Sequence, residues 1–96
     1  MLAVVALEPR TQGGGKPLRY EVTTTLTPQE ALAQAITYFG RGGQGLEVTS
    51  KDDFSLVLQG GGGYVAVTAR PGDKTTLDLE TREWDYAVRQ FMAEVH

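Results

Sequence analysis

From Leu18 onward, apolar and polar positions alternate, shift to a helical spacing, then alternate again through several short runs. Tyr20, Val22 and Thr24 interleave with Glu21, Thr23 and Thr25, in a segment rich in β-branched residues, which predicts a strand. Thr27-Pro28-Gln29-Glu30 then reads as a helix start: a Thr cap, proline in the first turn, and Glu30 placed to bond back to the cap. Leu32, Ala35, Ile36 and Phe39 follow as one apolar stripe. Gly40 suits the end of that helix, and Arg41 to Gly45 form its exit loop.

The second alternating region predicts four strands. Leu46 and Val48 alternate with Glu47 and Thr49, and Lys51-Asp52-Asp53 makes a turn. Phe54, Leu56 and Leu58 alternate with Ser55, Val57 and Gln59. Beyond Gly60 to Gly63, Val65, Val67 and Ala69 alternate with Tyr64, Ala66, Thr68 and Arg70. Pro71-Gly72-Asp73 is another turn, and Leu77 and Leu79 alternate with Thr76, Asp78 and Glu80. Connections this short leave no room for crossover helices, so these strands form an antiparallel meander. A second helix is predicted over Arg82 to Val95, capped by Thr81, with Trp84, Ala87, Val88, Phe91, Met92 and Val95 on one face.

The element order is β-α-β-β-β-β-α. Each helix has one apolar stripe and each strand one apolar side, so the predicted fold is α+β in two layers: a curved antiparallel sheet with both helices packed on one face. Residues 19–96 form this single domain, and residues 1–18 read as an N-terminal arm or an extra edge strand. Leu2 to Leu7 supply the strand-like apolar run, and Glu8 to Pro17 are a breaker-rich stretch typical of a loop.

This order, from Arg19 to Val95, resembles the strand–helix–four-strand–helix unit of TATA-box-binding-protein-like folds. It is also similar to a shortened helix-grip domain of the kind found in lipid-binding START-related proteins. The resemblance spans about four-fifths of the chain and lies in element order alone, so it implies a fold and carries no activity. In the TATA-box-binding relatives the open sheet face grips DNA with basic side chains and apolar wedges. Here that face would carry Glu21, Glu47, Asp78 and Glu80 against Arg70, which repels phosphate. Helix-grip relatives enclose a ligand between a long helix and a larger sheet, and this chain is short for a roomy cavity.

Ninety-six residues suit one domain, and an apolar share of 41% with a charged share of 22% fits a folded chain. A net charge of −3, with nine scattered Lys and Arg, argues against a nucleic-acid partner. Cysteine is absent, which removes disulfides and thiolate chemistry and fits a cytoplasmic setting. The apolar run Leu2 to Leu7 is far shorter than the about 20 residues of a membrane helix, and no basic region precedes it as in a secretory signal. A soluble, cytoplasmic protein without membrane contact is the expectation.

The candidate chemistry is sparse. Gly60-Gly61-Gly62-Gly63 would cradle a phosphate only if a helix followed; strands flank it instead, so it reads as a hairpin connection. Four glycines exceed a two-residue turn, and the excess is expected to be a bulge, a flexible tip or a close approach of backbone to something else, the first two favoured. Gly40 to Gly45 reads as a helix cap and linker, or as a mobile lip with Arg41 contacting an anion. Trp84 and Tyr86 could form an aromatic recognition pair, but Trp84 belongs to the apolar stripe and reads as a core anchor, with Tyr86 partly exposed. Asp52-Asp53 reads as a solvated turn before a cation site. Glu80, Glu83 and Asp85 suit a helix start before they suit acid–base work. His96 is terminal, and Ser50 and Ser55 have no histidine partner, so no nucleophile–base pair can be drawn.

What remains is the sheet face turned away from the helices, lined by Thr23, Thr25, Thr49, Ser55, Val57, Gln59, Tyr64, Ala66, Thr68 and Thr76. Val57, Tyr64, Ala66 and Thr68 stand near its centre and form the candidate interface. The expected function is non-enzymatic: contact with another protein or with a second copy, as a homo-oligomer, with no catalytic, metal or cofactor residues. The alternative is a small-molecule module holding an apolar ligand between helices and sheet.

Overall fold

The alternating runs pair as neighbouring strands, and the structure, a computed structural model, describes residues 4–7 and 17–96 of the chain. In chain order the elements are β1 (Val4–Leu7), β2 (Leu18–Thr24), α1 (Pro28–Phe39), β3 (Glu47–Lys51), β4 (Ser55–Gly60), β5 (Gly63–Arg70), β6 (Thr75–Arg82) and α2 (Asp85–Val95). The arm expected over Glu8 to Pro17 lies, up to Lys16, outside the described residues. Strands β2 to β6 make an open antiparallel sheet, and β1 extends it beside β2, giving the order β1-β2-β6-β5-β4-β3. The expected α+β fold in two layers is the one observed.

Alternation is the consequence of covering one face. Tyr20, Val22 and Thr24 on β2, Leu56 and Leu58 on β4, Val65, Val67 and Ala69 on β5, and Leu77 and Leu79 on β6 are all buried. Helix α1 lies across β4 and β5, and α2 across β6 and β2. Between the two helices Tyr38, Phe39 and Phe91 pack ring against ring, with Phe39 and Phe91 centroids 5.2 Å apart. The space between helices and sheet is thus filled by side chains of this core.

Local signals set the ends of α1. Thr27 Oγ1 accepts from the Glu30 amide at 3.1 Å, and Glu30 Oε1 accepts from the Thr27 amide at 2.9 Å, completing the capping box. At the far end of the domain, Thr24 is buried, and its hydroxyl donates to the Val95 carbonyl at 2.6 Å, tying the last turn of α2 to β2.

Four expectations fail at element ends, three for a tertiary reason and one for bonds within a turn. The second helix begins at Asp85, not Arg82, because β6 continues through Arg82, paired with Tyr64 of β5. Thr81, expected as the cap, is instead buried in β6, and its hydroxyl donates to the Tyr64 carbonyl at 2.8 Å. Phe54 does not join the inward row of β4 and is 43% exposed. The Asp52 carboxylate accepts from the amides of both Phe54 and Ser55 at 2.9 Å, which keeps Phe54 in the turn. Val48 alternates as a strand residue yet is exposed, because all of β3 overhangs the helical layer.

Candidate functional site

The uncovered face of the sheet is built by register. Val57 pairs with Ala66, Gln59 with Tyr64, and Ser55 with Thr68, so the four candidate interface residues share two adjacent strands, β4 and β5. Val57, Tyr64 and Ala66 are half-buried among neighbouring strand side chains, and Thr68 is exposed. This is the least polar part of that face.

Charged side chains border it on the β6 and β2 side. The Tyr64 hydroxyl donates to Glu80 Oε2 at 2.5 Å, and Arg19 Nε lies 3.8 Å from the other oxygen of Glu80. Arg70 reaches Asp78 with one guanidinium nitrogen and Glu21 with the other, the latter at 3.2 Å. Burial and the bond to the Glu80 carboxylate both hold the Tyr64 phenol above its ordinary range. Alternation had put Glu21, Glu47, Asp78 and Glu80 against Arg70 alone, whereas register adds Arg19 (opposite Glu80) and Arg82 (opposite Tyr64) to the same face. Carrying the alternation one step further along β2 and β6 would have found both.

The glycine run is a hairpin with a specific burden. Gly60 pairs with Gly63, and the two central residues, Gly61 at φ 59° and Gly62 at φ 82°, take the left-handed conformations of a type I′ turn. The outer glycines are neither bulge nor loose tip. A Cβ on Gly63 would meet the Arg82 carbonyl oxygen at 2.0 Å, and one on Gly60 would meet the Leu46 Cα at 3.3 Å. The hairpin is therefore wedged against the junction between β6 and α2. Trp84 seals it: the indole Nε1 donates to the Gly60 carbonyl at 2.9 Å, and the ring edge lies against Gly61. Trp84 is the cap residue of α2 and half-buried, so it anchors a turn against the core and is not part of the helical stripe.

The other sequence candidates are scattered. Arg41 pairs with Glu47 at 3.0 Å across the exit loop, at the rim of an apolar notch of about 470 Å³ formed by Ile36, Leu46 and Val48. A shallower cleft of about 530 Å³ runs along Gln59, Tyr64, Arg82 and the glycine turn. Hydrogen bonds from the Phe54 amide, then from the Ser55 side chain and amide, hold the Asp52 carboxyl below its usual range, and the Asp53 carbonyl accepts from Gln29. The pair therefore shapes a turn. Glu80 lies on the sheet face, Glu83 takes φ 76° in the junction, and Asp85 pairs with Arg89 at 3.6 Å, so the three do not converge. Tyr86 is 69% exposed, far from sharing a site with the half-buried Trp84. Ser50 is exposed on β3, Ser55 is half-buried on β4, and the His96 amide caps α2 by donating to the Met92 carbonyl.

Among the described residues, no group of three or more His, Cys, Asp or Glu could hold a metal ion. No helix among them is long and apolar enough to cross a membrane. The chain matches no family profile, no curated protein and no solved structure.

Proposed function

We propose that this domain acts through protein contact, at the uncovered face of its sheet, without catalysing a reaction. The observation that carries this reading is the grouping of Val57, Ala66 and Tyr64 on β4 and β5, bordered by the Arg19–Glu80 and Glu21–Arg70–Asp78 ion pairs. An apolar centre inside a polar, hydrogen-bonding rim is the general anatomy of a protein interface. Because the rim charges are already matched in sign, a partner does not need to neutralise them. A cysteine-free chain of net charge −3 suits a partner in the cytoplasm and does not suit a polyanion.

A photoreactive amino acid at position 66, compared with one at position 90 on the exposed side of α2, tests the proposal in cells expressing the protein. Discrete adducts from position 66, lost with Val57→Glu, are the expected result. Equal or absent adducts from both positions would refute it.

The second reading, a bound small apolar molecule, draws support from the notch beside Val48, which lies outside the helix–sheet interior first considered for it. Binding of an apolar dye that Val48→Lys abolishes and Val57→Glu leaves intact would favour this reading.

A further inference from the structure

Among the described residues, β1 and β3 are the two edge strands of the sheet, and they are not equivalent. Edge strand β3 is protected in the ways natural sheets protect edges. Its register slips between Val48 and Ser50, it carries Glu47 and Lys51, and every residue in it is exposed. The slip inserts an odd residue, so outward backbone groups lose the two-residue repeat that an added strand requires. Edge strand β1 has neither the register slip nor the charges. Its register against β2 is unbroken over Val4, Val5, Ala6 and Leu7, and the segment has no charge and no proline.

The pattern of β1 also conflicts with its position. Strands β2, β4, β5 and β6 alternate because one face is covered and one is wet, whereas β1 is apolar at every position. Continuous apolar character belongs to strands covered on both faces and flanked on both sides. Register places Val4 and Ala6 on the rows of the core residues Val22 and Tyr20, and Val5 and Leu7 on the rows of Glu21 and Arg19. At a free edge this is a mismatch between local sequence and place in the fold.

We infer that β1 pairs antiparallel with β1 of a second copy of this chain, joining two six-stranded sheets into one continuous sheet. Charge favours one register over its neighbours. Directly opposed residues in an antiparallel pair share a face, so a two-fold axis at Ala6 sets Val5 against Leu7 of the second copy. The Arg19 row of one copy then runs into the Glu21 row of the other, opposite in sign. An axis at Val5 would set Glu21 on one row with its own equivalent, and an axis at Leu7 would do the same for Arg19. Both alternatives place like charges across the seam. The inference rests on the protein-contact reading and names one partner, a second copy, at an edge distinct from the Val57 patch.

Sedimentation velocity across a concentration series tests it, using the full chain and three variants: Val5→Lys, Val48→Lys and Val57→Glu. Val5 stands opposite Glu21, so the lysine has an ion-pair partner within the monomer but would bring an unmatched charge into the seam. The expected result is twice the 10.4 kDa chain mass for the parent, Val48→Lys and Val57→Glu, and the monomer mass for Val5→Lys, whose edge charge weakens association. If Val5→Lys fails to fold, amide hydrogen exchange of the parent decides the question: protection at Val4 to Leu7 should rise with protein concentration. A parent that is monomeric at high micromolar concentration, or exchange at β1 independent of concentration, would overturn the inference. So would a dimer that survives Val5→Lys and dissolves with Val57→Glu. That last result would leave the face contact standing.

Discussion

A methyl group on Gly63 would lie 2.0 Å from the Arg82 carbonyl oxygen and 2.7 Å from the Glu83 Cβ, with backbone and not a pliable side chain in the way. Gly61 combines φ 59° with a Cβ position 2.9 Å from the Trp84 ring, whereas Gly62 has positive φ and open space. Alanine at Gly62 should therefore cost about 1 kcal/mol for the left-handed backbone alone. Gly61→Ala and Gly63→Ala should add a steric penalty of about 1–3 kcal/mol, largest at Gly63. Urea denaturation of the three variants checks the order, and equal effects at all three would contradict the wedge against Arg82 and Glu83. Trp84 carries a related expectation. Phe91 is fully buried and Trp84 only half, so Phe91→Ala should take the full cost of about 3–5 kcal/mol and Trp84→Ala less. Trp84→Phe, which removes the donor to Gly60, should cost about 1 kcal/mol.

At the scale of elements, the turn between β3 and β4 depends on one carboxylate. Asp52 has its folded-state pKa lowered by amides that bond its ionised form, so the stabilisation is present above the unfolded value, about 3.9, and is lost as pH falls through the lower folded one. Asp52→Asn keeps an acceptor that does not titrate, so its stability relative to the parent should improve steadily below about pH 4. Melting temperatures of both proteins through that range measure the difference, and parallel curves would remove Asp52 from the turn's acid response. The same turn marks the limit of what the sequence reveals about elements. Strands β2, β4, β5 and β6 and the start of α1 were legible because covering one face demands alternation and because a capping box is local. The demotion of Phe54 was not, since Phe-x-Leu-x-Leu alternates well and only the Asp52 bonds break the row. The end of β6 was hidden for a different reason. Thr81 is a good cap in isolation, but pairing of Tyr64 with Arg82 comes from another strand.

At the scale of the whole molecule, the candidate patch was visible as a set and invisible as a site. Alternation alone put Val57, Tyr64, Ala66 and Thr68 on one face. That Arg70 joins Glu21 to Asp78 depends on β2 lying beside β6, which no local pattern encodes. That same adjacency has a consequence in time. Leu18 pairs with Thr81 and Thr24 with Thr75, so β2 waits for the late strand β6, while the pairs β3–β4, β4–β5 and β5–β6 join near neighbours in the chain. Long loop closure slows folding, so the β3–β6 meander should order before β2 docks. Val22→Ala should then speed unfolding with little change in the folding rate, and Val67→Ala should slow folding, as chevron plots would resolve. On the ribosome the consequence is sharper. Until β6 has emerged, β2 has no neighbour in the finished sheet except β1, and the edge of β2 that β6 will cover stays unpaired with its apolar row of Tyr20 and Val22 uncovered.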